Sequence, residues 1–228
     1  MKRLLLLGWL ACMCLSLFAQ QKAPKWMEKQ KKAIAKITTY KEDGTTLHTG
    51  TGFFISEDGK LLSAYSLFNG AYKATVTDGG GKTYEVSTVL AADELYDVIK
   101  LQVEVPKKVN FLKMAAAPLA VGAPVYLQPY TDAKVKTFAT GKVEEVTKLK
   151  DVYHYYKLSF PLEVSWVNAP VLNEEGEVFG LAQEDASGKK EVSYAVSAAY
   201  AESLQISTMD MLSSTYTAIG IKKAWPAD

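Results

Sequence analysis

Gly50-Thr51-Gly52-Phe53-Phe54-Ile55-Ser56-Glu57-Asp58-Gly59, running on into Lys60-Leu61-Leu62-Ser63, is the stretch that decides the fold. β-Branched and aromatic residues occupy Thr51 to Ile55, Glu57-Asp58-Gly59-Lys60 supplies a tight turn, and Leu61-Leu62 resumes the apolar run. Two short runs of this kind around a glycine turn make a β-hairpin. The same signals recur outward from it. Ala35, Ile37 and Thr39 alternate upstream, and Ala74 to Thr77 and Thr83 to Val86 flank the turn Asp78-Gly79-Gly80-Gly81 downstream. Val98-Ile99-Lys100-Leu101-Gln102-Val103 then closes this half.

A break rich in lysine, proline and alanine, from Pro106 to Pro118, precedes a second set of strand-like segments. These are Val121 to Leu127, Lys142 to Val146, Tyr155 to Leu158, Val178 to Leu181 and Ser193 to Val196, with a helix expected over Ala198 to Gln205. Runs of four to eight residues between turn signals, without helical periodicity until near the end, predict an all-β chain. Two sets of about six short strands suit two packed six-stranded antiparallel β-barrels with a C-terminal helix, because closure leaves few exposed edges. The expected division is 1–20 signal peptide, 21–32 N-terminal linker, 33–108 first barrel, 109–120 inter-barrel linker, 121–205 second barrel with its closing helix, and 206–228 a tail without clear periodicity.

Met1-Lys2-Arg3, an apolar run from Leu4 to Phe18 and then Ala19-Gln20-Gln21 have the layout of a secretory signal peptide. The run is shorter than the roughly 20 residues that span a bilayer. Export to a bacterial periplasm or beyond the cell is therefore expected, with lipid anchoring through Cys12 as the alternative. Both cysteines, Cys12 and Cys14, precede the expected cleavage point, so the mature chain carries neither a disulfide nor a thiol nucleophile. Lys plus Arg number 26 against 25 Asp plus Glu, which gives no reason to expect a nucleic-acid partner.

The hairpin and the segments after it resemble bacterial trypsin-like serine proteases of the Deg type, which have the chymotrypsin fold. Gly50 to Gly59 is similar to the family's G-S-G-F-V-I-S-x-D-G, and Leu61 to Ala71 follows where the family has I-L-T-N-A-H-V-V-x-G-A. Ala92 to Leu101 matches the segment around the catalytic aspartate, Val121 to Val125 matches V-G-D-P-V, and Pro170 to Gly180 matches P-L-L-N-x-D-G-E-V-I-G. Ser193 to Ser197 resembles the strand before the closing helix. The resemblance runs over residues 33–205 and implies a serine nucleophile, a histidine base, an orienting aspartate and an oxyanion loop.

Laid on that pattern, Ser66 stands where the histidine belongs, and a slip of one residue puts Tyr65 there. Neither is a general base at neutral pH, the phenol having a pKa near 10. Asp97 keeps the place of the aspartate, either as a relic of the triad or as a structural acceptor of hydrogen bonds. Anchored on Pro170, the family's G-N-S-G-G-P becomes Ser165-Trp166-Val167-Asn168-Ala169-Pro170, with Val167 at the nucleophile and Ser165, Asn168 and Ala169 at the glycines. Ser165 becomes a nucleophile only if the loop is rebuilt. His48 and His154 fall outside the matching segments and read as ordinary surface or strand residues.

Gly79-Gly80-Gly81-Lys82-Thr83 resembles the end of a phosphate-binding loop, but a strand follows it and Val76 stands where its first glycine belongs. Glu174-Glu175 and Glu144-Glu145 are not acid–base pairs, and the two histidines offer no metal-ligand spacing. No cofactor and no metal are expected. The expected function is an exported pseudoprotease that binds an extended peptide or protein in the former substrate cleft. The alternatives are an active endopeptidase centred on Ser165 or Ser66 and a purely structural envelope protein.

Overall fold

The computed structural model describes residues 23–131, 138–185 and 192–205. They form two closed six-stranded antiparallel barrels and a short C-terminal helix, the fold class expected. The first barrel is β1 (Ile34–Tyr40), β2 (Thr46–Phe54), β3 (Lys60–Ser63), β4 (Lys73–Thr77), β5 (Thr83–Asp93) and β6 (Val98–Val103), in the order β1-β2-β3-β6-β5-β4. The second is β7 (Pro124–Leu127), β8 (Ala139–Leu149), β9 (Tyr153–Leu158), β10 (Pro170–Leu172), β11 (Val178–Glu184) and β12 (Ser193–Ser197). Its order, β7-β8-β9-β12-β11-β10, repeats the connectivity of the first.

Period-two alternation explains why these segments close into barrels: one face of each strand is apolar and needs an interior. Ile37, Phe53, Leu61, Val76, Val89 and Leu101 fill the first interior, and Val125, Leu127, Val143, Val171, Ala182 and Ala195 the second. Gly59 turns the founding hairpin with φ +96°, and a Cβ there would come within 2.4 Å of the Val103 carbonyl oxygen. Only glycine combines that backbone with that approach.

The segment preceding β1 is fastened to the second barrel. Helix α1 (Met27–Gln30) lies against the β10–β11 turn, where Trp26 Nε1 donates to the Glu174 carbonyl (2.8 Å) and Gln30 Nε2 to that of Gly176 (2.7 Å). Gln128 Nε2 donates to the Met27 carbonyl at 3.0 Å, and the Trp26 ring meets Tyr126 edge-on at 5.4 Å.

The closing helix α2 spans Ala198–Ser203, shorter than the expected run to Gln205. Its N-cap is Ser197, whose hydroxyl accepts from the Tyr200 amide. Leu204 is already extended, because Lys100 Nζ from the first barrel takes the carbonyls of Glu202 (2.5 Å) and Leu204 (2.6 Å). A cation at a helix C-terminus satisfies carbonyls that no further turn serves. The signal-peptide region 1–20, with Cys12, and the tail 206–228 lie outside the described residues.

Candidate functional site

Strand pairing brings the first two candidate residues together. β3 and β6 are antiparallel with Ser63 opposite Ile99, so the residues just after β3 meet those just before β6. Ser66 opens a short 3-10 turn (Ser66–Phe68), and Asp97 ends the Glu94–Asp97 turn in the left-handed region, φ 49°. The Asp97 Oδ1 accepts from the Ser66 amide at 2.6 Å, and Oδ2 accepts from the Ser66 hydroxyl at 3.0 Å. Tyr65, the alternative register, has its side chain in the first-barrel core at 3% exposure.

The second barrel contributes a third member. Asn168 Nδ2 donates to Asp97 Oδ2 at 3.4 Å across the junction between the barrels. Asn168 is fully buried, its backbone is left-handed at φ 61°, and its Oδ1 has no hydrogen-bond partner among the described residues. Burial pushes the Asp97 carboxyl above its ordinary value, opposed by the hydrogen bonds from Ser66 and Asn168. Three neutral donors thus surround one carboxylate, and the imidazole that the resemblance would place at position 66 is a hydroxymethyl group.

The loop that carries Asn168 is wound into a 3-10 turn, Val164–Trp166. Its amides are engaged within the protein: Trp166 to Glu163 O (2.8 Å), Val167 to Val164 O (3.4 Å), Asn168 to Ala182 O (2.7 Å) and Ala169 to Trp166 O (3.0 Å). An oxyanion hole needs such amides directed outward at a reacting oxygen. Ser165 is exposed on this turn, with no hydrogen bond to Ser66 or Asp97 among the described residues. Val167 is half-buried and Ala169 fully buried.

β11 borders the same region. Ala182 turns both its N–H and its C=O toward the loop, to Ala169 O (3.0 Å) and from the Asn168 amide (2.7 Å). Backbone alternation makes Gln183, opposite Tyr194, the residue that faces β12, and directs the N–H and C=O of Glu184 to the Ala182 side, beyond the loop.

A cluster that sequence reasoning missed steadies the Asp97 turn. Gln183 Nε2 donates to the Tyr96 carbonyl and its Oε1 accepts from the Tyr155 hydroxyl at 3.2 Å. Lys150 Nζ lies 3.3 Å from Asp93 Oδ2 and 2.6 Å from the Tyr200 hydroxyl, with its charge 4.9 Å from the Tyr200 ring centre. Tyr200 donates to Asp93, and its phenol is pushed far above the ordinary tyrosine value, by burial first and then by that carboxylate. These residues come from β5, β8–β9, β11 and α2, so no spacing along the chain announced them. His48 is exposed on β2, and His154 on β9 stacks on Tyr156 at 6.0 Å. Among the described residues no group of three His, Cys, Asp or Glu side chains could hold a metal.

A sequence profile of the trypsin-like peptidase domain matches residues 50–181. Over 169 residues the chain is 24% identical to the anti-sigma-I factor RsgI9 of Acetivibrio thermocellus, covering 74% of this chain and 24% of that protein. It is 25% identical over 142 residues to serine protease HTRA1 of Xenopus tropicalis, covering 58% of this chain and 30% of that protein. The chain therefore spans less than a third of the length of these curated relatives. Among solved structures, the active form of the Rv3671c protease from M. tuberculosis superposes with a TM-score of 0.66 at 24% identity, over 82% of this chain and 84% of that one.

Proposed function

We propose, from the premise that the chain belongs to the trypsin-like peptidase domain family, that it is an exported binding protein which has given up hydrolysis. The observation that carries this reading is the set of partners around Asp97: the Ser66 amide and hydroxyl and the Asn168 carboxamide, with no imidazole. Acyl transfer needs a base that accepts the nucleophile's proton near neutral pH, and a hydroxyl or an amide does not do so. Val167 at the nucleophile position and the inward-bonded amides of its loop support the same conclusion.

Binding has a place to occur without catalysis. Glu184 directs its backbone N–H and C=O past the loop, so an extended peptide lying beside the end of β11 would pair with main-chain groups alone. One relative, 24% identical over 74% of this chain, bears the name of an anti-sigma factor rather than of a protease.

A second reading keeps one observation in its favour, the Ser66 hydroxyl donating to Asp97 Oδ2 at 3.0 Å, a serine already paired with a carboxylate. A fluorophosphonate probe and a casein digest decide between the two. The binding protein neither reacts nor cleaves, whereas labelling abolished by S66A or S165A would establish a hydrolase and identify its nucleophile. Peptide titration answers the reading as an inert structural protein, which binds no peptide.

A further inference from the structure

Among the described residues the carboxylate of Asp97 is bound only by neutral donors, and no Lys, Arg or His forms an ion pair with it. Lys150, whose charge lies 5.7 Å from the ring centre of Tyr96, is committed to Asp93 and Tyr200. Beside Asp97, the fully buried carboxamide of Asn168 is directed at the carboxylate and leaves its own Oδ1 without a donor. The Asn168 oxygen is sealed from solvent, so the group open to an incoming donor is the Asp97 carboxylate, a half-buried anion with no counter-charge among the described residues. The route in is open, since Ser66 is exposed and Asp97 itself only half-buried. Two exposed apolar residues lie on the segments that carry this pair: Leu95, two residues before Asp97, is 81% exposed, and Val164, four before Asn168, is 76% exposed.

We propose that Asp97, braced by the buried Asn168 carboxamide, forms the seat for a cationic side chain, a lysine or arginine of the peptide that lies across the barrel junction. This rests on the peptide-binding reading above and adds what the peptide must carry. The ammonium or guanidinium supplies hydrogen bonds to Asp97 Oδ2, which faces the Ser66 hydroxyl, and the charge is met without displacing the Ser66 amide from Oδ1. The aliphatic stem of such a side chain covers Leu95 and Val164, as long cationic residues do on apolar surfaces. Glu94 and Glu163, exposed on the same two segments, add like charge to the approach and favour a positive partner.

The test uses the full mature chain, isotope-labelled, and three probes: a short capped peptide with a central lysine, the same peptide with norleucine in its place, and methylguanidinium alone. The expected result is a preference for lysine over norleucine of about tenfold or more, as a charge-assisted hydrogen bond gives. Amide shifts should centre on Ser66, Asp97 and Asn168, and the preference should vanish in D97N. N168G, which keeps the left-handed backbone and removes the carboxamide that braces Asp97, gives an independent variant and should weaken the lysine peptide specifically. Equal binding of both peptides overturns the cation seat and leaves the cleft reading standing. Failure of both peptides, with methylguanidinium still giving shifts that depend on Asp97, overturns the cleft reading and leaves the cation seat standing. No Asp97-dependent shift from any of the three overturns this inference.

Discussion

Asn168 holds a left-handed backbone, φ 61°, inside the protein. That conformation costs most L-residues about 1–2 kcal/mol, while glycine and asparagine adopt it readily. N168G should therefore stay close to the parent in stability and N168A should lose about 1–2 kcal/mol, as read by urea unfolding; equal losses would show that the carboxamide, not the backbone, is what matters. Asp97 gives a prediction of opposite sign to the usual carboxylate. Its folded-state pKa lies above the ordinary value because burial dominates, so the folded protein binds that proton more tightly than the unfolded chain. The stability it contributes is present below the unfolded pKa and is lost as pH rises through the folded one. The melting temperature of the parent minus that of D97N should accordingly rise as pH is lowered from neutral through the carboxylate range, and a difference flat with pH would refute the shift. At this scale Ser66 and Asp97 were legible as positions in a family pattern. The contact between Asp97 and Asn168 spans 71 residues and was not; the one hint was an asparagine where the family places a glycine.

The 3-10 turn Val164–Trp166 carries the next prediction. It draws the Val167 amide back to the Val164 carbonyl and leaves Asn168 to bond Ala182. Installing a base and a nucleophile with S66H and V167S does not redirect those amides, and each oxyanion donor lost costs about 10²–10³ in rate. The double variant should remain near background in an esterase assay. The same protein carrying glycine at 165, 168 and 169 should gain measurable turnover, and equal turnover in the two would show a loop already competent. The founding hairpin and the strands around it were readable because period-two alternation and glycine turns are local signals. The end of α2 was not, since the group that stops it is Lys100 of another barrel. Nor did any local pattern indicate that Trp26 and Gln30 fasten α1 to the β10–β11 turn, for their partners are 148 and 146 residues away.

Over the whole molecule, the barrels are joined through side chains from every quarter: Asn168 on Asp97, Gln183 on the Tyr96 carbonyl, Lys150 on Asp93, and Lys100 on the end of α2. The doubled architecture could be read from two sets of short strands around the Pro106 to Pro118 break, whereas this junction depends on pairs remote in sequence. The proposed export makes a prediction for the chain as a unit: the cellular protein is shorter than its reading frame and lies outside the cytoplasm, which intact-mass analysis of fractionated cells checks. A soluble cytoplasmic pool retaining Met1 would contradict it. The α1 clasp has a consequence in time. An exported chain crosses the membrane N-terminus first, so Trp26 and all six strands of the first barrel arrive before Glu174 and Gly176, and that barrel can close while its leading helix has nothing to hold. Docking of α1 then waits for the β10–β11 turn to emerge, and residues that arrive early are among the last to reach their final place.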